Sequence, residues 1–591
     1  ALQAVPEGMG GEVLNFMRDV VKEVGGKENT SAGDERVDQA VIEQVRKKME
    51  TPIPAVNVRI VASASTRARA DAILSDIKSS FSQFQNTSGN AITFSDVPER
   101  RFMRAAERFS FRRFAPESAM PLSLREISTI MHFPSQGVAS TPQLKQAKGA
   151  LAPAPVGLPQ EGTFLGTNVF RGAETKVYLT EEDRVRHLYV IGQTGVGKTV
   201  FMKNLINQDI AAGNGVCFID PHGSDIEDVL AAVPEHRMQD VIYFDPANTH
   251  DVMGLNMLEY DQTRPEQKTF VINELFSIFK KLYAHSPESM GPAFEQYFRN
   301  ATALVMEDPT TGNTMLDISR VLADAQYREV KLSRSKNPIV NQFWNEIATK
   351  AQGDASLANI VPYITNKFDI FTANDIMRPI IGQQTSSFRM REVMDSRKIL
   401  LVNLSKGRLG DINANLLGMI IVGKILMAAL SRVDAPRDSL APFYLYIDEF
   451  QNISTDSISA ILSEARKYKL SLNIAHQFIA QLDEGIRDAV FGNVGSMAIF
   501  RVGAEDAQFL EPQFAPVFEA ADIMKIENYH AYVKLLARGV PQQPFSLKVP
   551  PPQKGSLERV AHIAARSAQQ FARPRAEVDK EILMRYGIGT S

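Results

Sequence analysis

An eight-residue glycine-rich segment limits what this chain can fold into more than any other feature of its sequence. The segment is Gly192-Gln-Thr-Gly-Val-Gly-Lys-Thr199, which matches the pattern GxxxxGK[ST] without deviation. The flanking patterns predict a short strand over Arg186–Gly192 and a helix over Lys198–Ala212. A chance glycine turn is the alternative, but a strand–turn–helix context is what a phosphate-binding loop (P-loop) requires. We therefore predict an α/β nucleotide-binding domain.

Each part of this segment has an expected role in holding a nucleoside triphosphate. Glycines let the backbone wrap closely around phosphates and point amide hydrogens inward, and the helix adds its positive dipole end. Lys198 would reach the β- and γ-phosphates, and the Thr199 hydroxyl would bind Mg²⁺. The predicted nucleotide-binding residues are Gly192, Gln193, Thr194, Gly195, Val196, Gly197, Lys198, Thr199 and Val200.

Two adjacent carboxylates follow a second apolar run, Phe443-Tyr-Leu-Tyr-Ile447. Open α/β sheets bind ligands at the C-terminal ends of their strands. Asp448 is therefore predicted to hold Mg²⁺ through water, and Glu449 to orient and deprotonate the attacking water. A solvated loop that merely begins with two acidic residues is the alternative, which the presence of the P-loop disfavours.

Three further polar residues lie near predicted strand ends. Gln477 follows the predicted strand Ser471–Ala475 and could sense the γ-phosphate or hold the water; capping of the strand is the alternative. Arg466, just before that strand, could neutralise transition-state charge in a neighbouring subunit, or could belong to a solvated basic helix end. Arg501, at the end of the strand Ser496–Arg501, is the rival candidate for that role.

The order of apolar runs and helical patterns predicts an α/β fold with a parallel sheet covered by helices on both faces. Phe270–Tyr283 and Ala293–Met306 carry helical patterns within a region that lacks strand signals. The further strands predicted are Gly215–Asp220, Val241–Asp245, Lys398–Leu404 and Phe443–Asp448. The domains predicted are an N-terminal α/β domain with a leading helix (1–135), a linker (136–160), a core (161–264 and 381–549), an all-helical insertion (265–380) and a C-terminal helical tail (550–591).

The N-terminal part shows weaker patterns. Helices are predicted over Glu12–Val24 and Thr66–Gln83, and strands over Val56–Ala62 and Ala91–Phe94. From residue 59 to residue 113 there are ten Lys or Arg against five Asp or Glu. Arginines interleaved with phenylalanines can grip nucleic acid, although a solvated face or a contact with anionic lipid explains them as well.

Composition excludes several other classes of protein. With a single cysteine, Cys217, in 591 residues, a disulfide within the chain is excluded and a cysteine-based zinc site is disfavoured. Leu416–Leu430 is the nearest candidate for a membrane span, but Lys424 and two glycines interrupt it, which favours a buried helix packed against a sheet. The net charge of −3 means that nucleic-acid binding would depend on local basic patches.

These motifs, taken in order, resemble those of the HerA/FtsK superfamily of P-loop ATPases, and in particular the coupling proteins of type IV secretion, which serve conjugative DNA transfer. The resemblance covers roughly residues 160–545. The matching segments are Ile191–Val200, Phe218–Gly223, Gly254–Asn256, Tyr446–Phe450, Glu464–Tyr468, Ala475–Gln477, Phe500–Gly503 and Asp506-Ala507.

The resemblance implies a RecA-like motor that uses ATP and Mg²⁺ and forms a hexameric ring around a central channel. It also implies that Glu449 is the catalytic base, that Gln477 links hydrolysis to movement and that Arg466 acts in trans. The partners implied are DNA, secretion-channel proteins and relaxosome proteins, at a cytoplasmic location that could be the cytoplasmic face of the inner membrane. Coupling proteins usually begin with membrane helices and this sequence shows none, so membrane association would come through a partner or a missing N-terminal segment.

Two other functions remain open on the sequence alone. One is a HerA-like DNA translocase or helicase in repair or phage defence. The other is a motor for protein secretion or assembly, whose ATP hydrolysis would not depend on DNA.

Overall fold

The computed structural model describes residues 39–84, 92–131, 150–351, 356–553 and 555–586. The chain divides into two compact units, residues 1–144 and residues 145–591. The helix predicted at Glu12–Val24 lies outside the described residues.

The described part of the first unit is helical apart from one short ladder, in which Ala55–Val56 (β1) pairs antiparallel with Met120–Pro121 (β2). The helix predicted over Thr66–Gln83 is confirmed, and the strand predicted over Val56–Ala62 is wrong beyond Val56. Of the strand predicted over Ala91–Phe94, Ala91 lies outside the described residues, and residues 92–94 form no strand. After β1, the Asn57 side chain bonds both the N–H and the C=O of Ala115, so the ladder does not continue there. The α-helices among the described residues of this unit are Gln39–Met49 (α1), Arg67–Ser80 (α2), Glu99–Ser110 (α3) and Leu124–Ile130 (α4).

The second unit is built on one 11-stranded sheet in the order β4-β3-β16-β13-β12-β5-β11-β10-β6-β9-β7. Its strands, together with four shorter ones outside the sheet (β8, β14, β15 and β17), are Thr163–Phe170 (β3), Ala173–Leu179 (β4), Leu188–Ile191 (β5), Gly215–Asp220 (β6), Val241–Phe244 (β7), Asp251–Val252 (β8), Ile399–Asn403 (β9), Phe443–Ile447 (β10), Leu470–His476 (β11), Ser496–Ile499 (β12), His530–Lys534 (β13), Leu536–Ala537 (β14), Val540–Pro541 (β15), Phe545–Lys548 (β16) and Arg573–Pro574 (β17).

The strands from β12 to β7 in this order run parallel, and β13, β16, β3 and β4 extend the sheet antiparallel. Parallel strands covered on both faces are continuously apolar. That is why β5, β6, β10 and β11 are buried at every position. The predicted parallel sheet is confirmed, and all of its strands were predicted from their apolar runs.

Helices pack on the sheet. The long segment between β8 and β9 is also helical, and its described residues form no strand. The helices of this unit are Glu181–Arg184 (α5), Lys198–Ala211 (α6), Ser224–Ala232 (α7), Pro265–Leu282 (α8), Pro292–Glu307 (α9), Met315–Ala323 (α10), Ala325–Arg334 (α11), Pro338–Gln342 (α12), Leu357–Thr372 (α13), Met377–Ile381 (α14), Met390–Asp395 (α15), Lys406–Leu409 (α16), Asp411–Ser431 (α17), Asp456–Glu464 (α18), Glu484–Asn493 (α19), Ala504–Phe514 (α20), Ala520–Ile523 (α21), Leu557–Phe571 (α22) and Arg575–Arg585 (α23).

One apolar helix packs inside this unit. Among the described residues, the stretch Asp411–Asp434, which begins with α17, is the one helical stretch long and apolar enough to cross a membrane by length and composition. Its most apolar window, of mean hydropathy 1.9, is 78% buried within the protein. The prediction that Leu416–Leu430 forms a buried helix is confirmed.

The C-terminal segment covers one edge of the sheet. Helix α22 packs against α7 and the edge strand β7, and the main-chain N–H of Tyr243 donates to the Ser567 hydroxyl at 2.8 Å. The short strand β17 then pairs with β8. An open edge strand would otherwise present unpaired backbone groups to other chains.

Candidate active site

The P-loop lies at the C-terminal end of β5, between that strand and α6. Gly195 and Gly197 have φ values of 78° and 115°, in the left-handed region that side chains rarely adopt. The first amides of the loop bond the neighbouring strand ends: Gln193 N–H donates to the main-chain oxygen of Arg501 at 2.9 Å. A Cβ on Gly197 would come within 3.1 Å of the Tyr529 ring. The loop is therefore held closely by its neighbours at Gly192 and Gly197, where a side chain would meet Phe500 and Tyr529.

Lys198 is buried and turns back onto its own loop. Its Nζ donates to the main-chain oxygens of Gly192 at 2.6 Å and Gln193 at 3.1 Å. Burial lowers the pKa of Lys198, while the nearby carboxylates of Asp448 and Glu449 act in the opposite direction. A buried ammonium held mainly by carbonyls can exchange them for phosphate oxygens, which are stronger acceptors.

Thr199 and Asp448 form the pair expected of a Mg²⁺ site. The Thr199 hydroxyl donates to Asp448 Oδ2 at 3.2 Å, which joins α6 to the end of β10. Burial raises the pKa of Asp448 to about 6, with Glu449 and Asp220 adding to the rise and Lys198 opposing it. A buried carboxylate that is costly to ionise gains from a divalent cation, and oxygen ligands suit Mg²⁺. The residues present therefore fit the metal, with phosphate oxygens and water to complete its shell.

Glu449 has a strained backbone and two amide partners. Its φ of 49° is left-handed, a conformation that costs on the order of 1–3 kcal/mol in a residue other than glycine. Oε1 accepts from Gln477 Nε2 at 2.7 Å, and Oε2 accepts from Gln451 Nε2 at 2.8 Å. Gln477 Oε1 in turn accepts from the Thr194 hydroxyl at 3.1 Å. Gln477 thus bridges the P-loop and the carboxylate predicted as the base.

The two candidate arginines lie at opposite ends of the parallel strands, Arg466 before β11 and Arg501 after β12. Arg466 is exposed in the turn before β11, and β11 runs parallel to β5. It is therefore separated from the P-loop of its own chain by the length of a strand, about 20 Å. Arg501 follows β12 beside its own P-loop, and its guanidinium donates to Asn528 Oδ1 at 2.9 Å. Action of Arg466 in trans stays a prediction.

Sequence reasoning missed or left without a role several residues of this site. Asp220 lies at the end of β6; it is buried, and its carboxylate accepts from the main-chain N–H groups of His222 at 2.8 Å and Asp225 at 3.1 Å. Gln451 and Tyr529 were not considered. No local pattern marks Tyr529, whereas Gln451 lies only two residues after Glu449 and its position was a usable signal.

A buried ionic network fixes the P-loop helix against the strand that carries the carboxylates. The Arg184 guanidinium bonds both oxygens of Asp209 on α6 and donates to the hydroxyl of Tyr446 on β10 at 2.6 Å. It also lies over the Tyr444 ring, 3.8 Å from the centroid. The Tyr446 hydroxyl donates to Asp209 Oδ2 at 2.6 Å. Because α6 begins at Lys198 and β10 leads into Asp448, this network sets the spacing of the two halves of the site.

Fold and site together define a P-loop ATPase with a RecA-like motor domain. The sequence matches the family described as Helicase HerA, central domain, over residues 164–414. It also matches the family described as TraM recognition site of TraD and TraG, over residues 442–511. Over these two ranges the chain thus matches the HerA family of P-loop ATPases and the family named for TraD and TraG.

Other comparisons are more distant. The plasmid coupling protein TrwB in complex with ADP and Mg²⁺ is 15% identical with a TM-score of 0.48, over 70% of this chain and 99% of that one. VirB4 of Thermoanaerobacter pseudethanolicus is 13% identical with a TM-score of 0.43, over 66% of this chain and 97% of that one. No curated protein sequence is matched.

Proposed function

We propose that this chain is an ATP-driven DNA translocase of the type IV secretion coupling type, working as a homo-hexamer that moves DNA through a central channel. The observation that carries the proposal is the bridge from Thr194 through Gln477 to Glu449. Phosphate binding at the P-loop would compete for this bridge, so the position of β11 and its following loop can depend on nucleotide state. Such dependence is what a motor requires.

The site supports a direct hydrolysis. The P-loop amides and Lys198 would bind the phosphates of ATP, and Thr199 and Asp448 would hold Mg²⁺, which would supply positive charge against the phosphates. Glu449 accepts a proton from water as the water oxygen bonds the γ-phosphorus and the bond to the β-phosphate oxygen breaks. Gln477 holds the Glu449 carboxylate in place for this step. An arginine from a neighbouring subunit, Arg466, would neutralise the charge that develops.

DNA contacts in the motor are proposed for the segment Ser405–Asp411, which contains α16 and follows β9 at the same C-terminal end of the parallel strands as the P-loop. The Arg408 side chain is 61% exposed, and Lys406 N–H bonds the main-chain oxygen of Pro221 in the turn after Asp220. Contacts with phosphates alone would be independent of sequence and sensitive to salt. That behaviour suits a motor that moves along any DNA.

Secretion-channel and relaxosome proteins are the proposed protein partners, at the cytoplasmic face of the inner membrane. The family name that mentions TraM recognition covers residues 442–511. In this chain those residues include β10, β11 and β12, which lie in the middle of the sheet. A partner would therefore bind the loops and helices between these strands, since the strands themselves are buried.

A second candidate function is favoured by the match to the HerA central domain. In that reading the chain is a DNA translocase or helicase of repair or phage defence, with the same chemistry and a nuclease as its partner. Copurification with a nuclease rather than with secretion proteins would favour this candidate.

The first test is steady-state ATP hydrolysis with and without double-stranded DNA, across a range of salt concentrations. We expect DNA to stimulate hydrolysis in wild type, the stimulation to fade as salt rises, and Glu449→Gln to abolish turnover. Glu174→Gln, the same change at an exposed position on the edge strand β4, serves as the matched control and should behave as wild type. Hydrolysis indifferent to DNA at every salt concentration would refute the translocase and favour a protein-secretion or assembly motor.

The hexamer and the arginine are tested together by mixing inactive variants. Arg466→Ala and Glu449→Gln should each be inactive alone, and mixtures of the two should regain part of the activity if Arg466 acts in the neighbouring subunit. Arg501→Ala should not be complemented in this way, because Arg501 adjoins its own P-loop. Complementation of Arg501→Ala, and none of Arg466→Ala, would reverse the assignment.

A further inference from the structure

A carboxylate outside the nucleotide site is buried without a cation as its hydrogen-bond partner. Glu274, on α8, is 5% exposed. Its Oε1 accepts from the Thr455 hydroxyl at 3.0 Å, and its Oε2 accepts from the Ser457 hydroxyl at 2.6 Å. Burying a carboxylate is costly unless its oxygens are bonded. The two hydroxyl groups that bond Glu274 belong to one segment, and the carboxylate therefore fixes the position of that segment.

The segment that Glu274 holds is the first turn of α18. Thr455 is the N-cap residue of this helix, but its hydroxyl donates to Glu274 rather than capping the helix itself. The carboxylate therefore lies at the positive end of the helix dipole, where a negative charge is stabilised. Ser277, one turn further along α8, adds a bond to Asp456 at 3.2 Å.

A third helix, α17, has a glycine where it faces the Glu274 side chain, and this glycine leaves room for that side chain. A Cβ on Gly423, in α17, would come within 2.8 Å of the Glu274 Cγ atom. The carboxylate is thus enclosed where α8, α17 and α18 meet. Its position is set by packing as well as by hydrogen bonds.

The first turn of α18 lies only a few residues after Glu449, the candidate base, and hydrogen bonds connect the two. Gln451 Nε2 donates to Glu449 Oε2 at 2.8 Å, and the Ser454 hydroxyl donates to the main-chain oxygen of Gln451 at 3.2 Å. Ser454 precedes Thr455, whose hydroxyl bonds Glu274. Side-chain hydrogen bonds therefore connect Glu449 with a helix of the segment between β8 and β9.

We propose that Glu274 is a positioning residue for ATP hydrolysis: it holds the first turn of α18, which fixes Gln451 and thereby orients the Glu449 carboxylate. The proposal rests on the proposed hydrolysis and not on DNA. Nothing in it requires Glu274 to touch the nucleotide. Loss of Glu274 should therefore lower kcat and leave the KM for ATP unchanged.

The test is the DNA-independent ATPase activity of Glu274→Ala and Glu274→Gln in the full chain. We expect kcat to fall by about tenfold in Glu274→Ala, since small misplacements of a catalytic group have large effects on rate. Glu274→Gln should lose less, because its amide oxygen still accepts one of the two hydroxyls. Asp317→Asn is the matched control: Asp317 is an equally buried carboxylate that bonds Thr314 at an N-cap, in α10.

A double-mutant cycle with Gln451→Ala separates positioning from a general loss of stability. If Glu274 acts through Gln451, adding Glu274→Ala to Gln451→Ala should lower kcat less than twofold further. The proposal would be overturned by independent, multiplying effects, by a rise in KM alone, or by an equal loss of kcat in Asp317→Asn. A wild type that hydrolyses ATP but ignores DNA would refute translocation and leave this test intact.

Discussion

Removing one member of the buried network of Arg184, Asp209 and Tyr446 should destabilise the ATPase core severely. The side chains of Arg184 and Asp209 are 3% and 1% exposed, so Asp209→Leu leaves a guanidinium buried without a counter-charge. The pKa of Arg184 is raised well above its usual value by the Asp209 charge, although burial acts in the opposite direction. Arginine keeps its proton at ordinary pH, so the charge stays on the buried side chain when Asp209 is removed. Breaking a buried pair in this way typically costs about 3–5 kcal/mol of unfolding free energy.

The assay is urea unfolding followed by far-ultraviolet circular dichroism, for the two single variants and for Arg184→Met with Asp209→Leu. Replacing both partners removes both charges, so the double variant should recover most of the loss. The control is Asp375→Leu, which breaks an exposed pair with Arg378 and should change the unfolding free energy by less than about 0.5 kcal/mol. A cost below about 1 kcal/mol for Asp209→Leu, or a double variant as unstable as both losses combined, would refute this reasoning.

Three further predictions concern the loop, the base and acid stability. Gly197→Ala should weaken the binding of a fluorescent ATP analogue by at least about tenfold, because φ is 115° there; Gly485→Ala, with open space around it, should bind as wild type. Gln477→Ala should lower kcat by about 10–100-fold while nucleotide affinity stays unchanged, and a change in affinity alone would contradict its contact with the base. Burial lowers the pKa of His187 to about 4 and that of His476 to about 3. Each binds a proton in the unfolded chain near pH 6.5, so stability should fall as the pH drops from about 6.5 towards 4, by about 2 kcal/mol per histidine at pH 5. Thermal unfolding at pH 7.5 and pH 5 measures this loss, and His187→Gln should reduce it.

The parallel part of the sheet could be predicted because its strands are apolar along their whole length. β6 matched its predicted bounds, and β10 and β11 differed by only one or two residues at their ends. The antiparallel strands were missed because they carry mixed patterns. β4 is exposed at its first four positions and buried only near its end. Such a strand cannot be recognised from its own sequence pattern. Its place in the sheet is set by its pairing with the neighbouring strand β3.

The same difference, between residues marked by a local sequence pattern and residues placed by distant partners, applies to the candidate site. The P-loop, Asp448, Glu449 and Gln477 were predicted because each directly follows a strand, and parallel strands bring their C-terminal ends together. Glu274 could not be predicted in this way. Its partners lie 181 and 183 residues further along the chain, and a bond between side chains so far apart leaves no periodic trace.

The covering of β7 by the C-terminal segment has a consequence for the order of folding in the cell. The hydrogen bond from Tyr243 can form only after Ser567, which is 324 residues later in the chain, has been synthesised. At a synthesis rate of about 5–20 residues per second, this edge stays uncovered on the ribosome for about 16–65 s. The nascent chain therefore carries this edge strand uncovered until α22 has been synthesised, and during that time the strand is open to pairing with other chains.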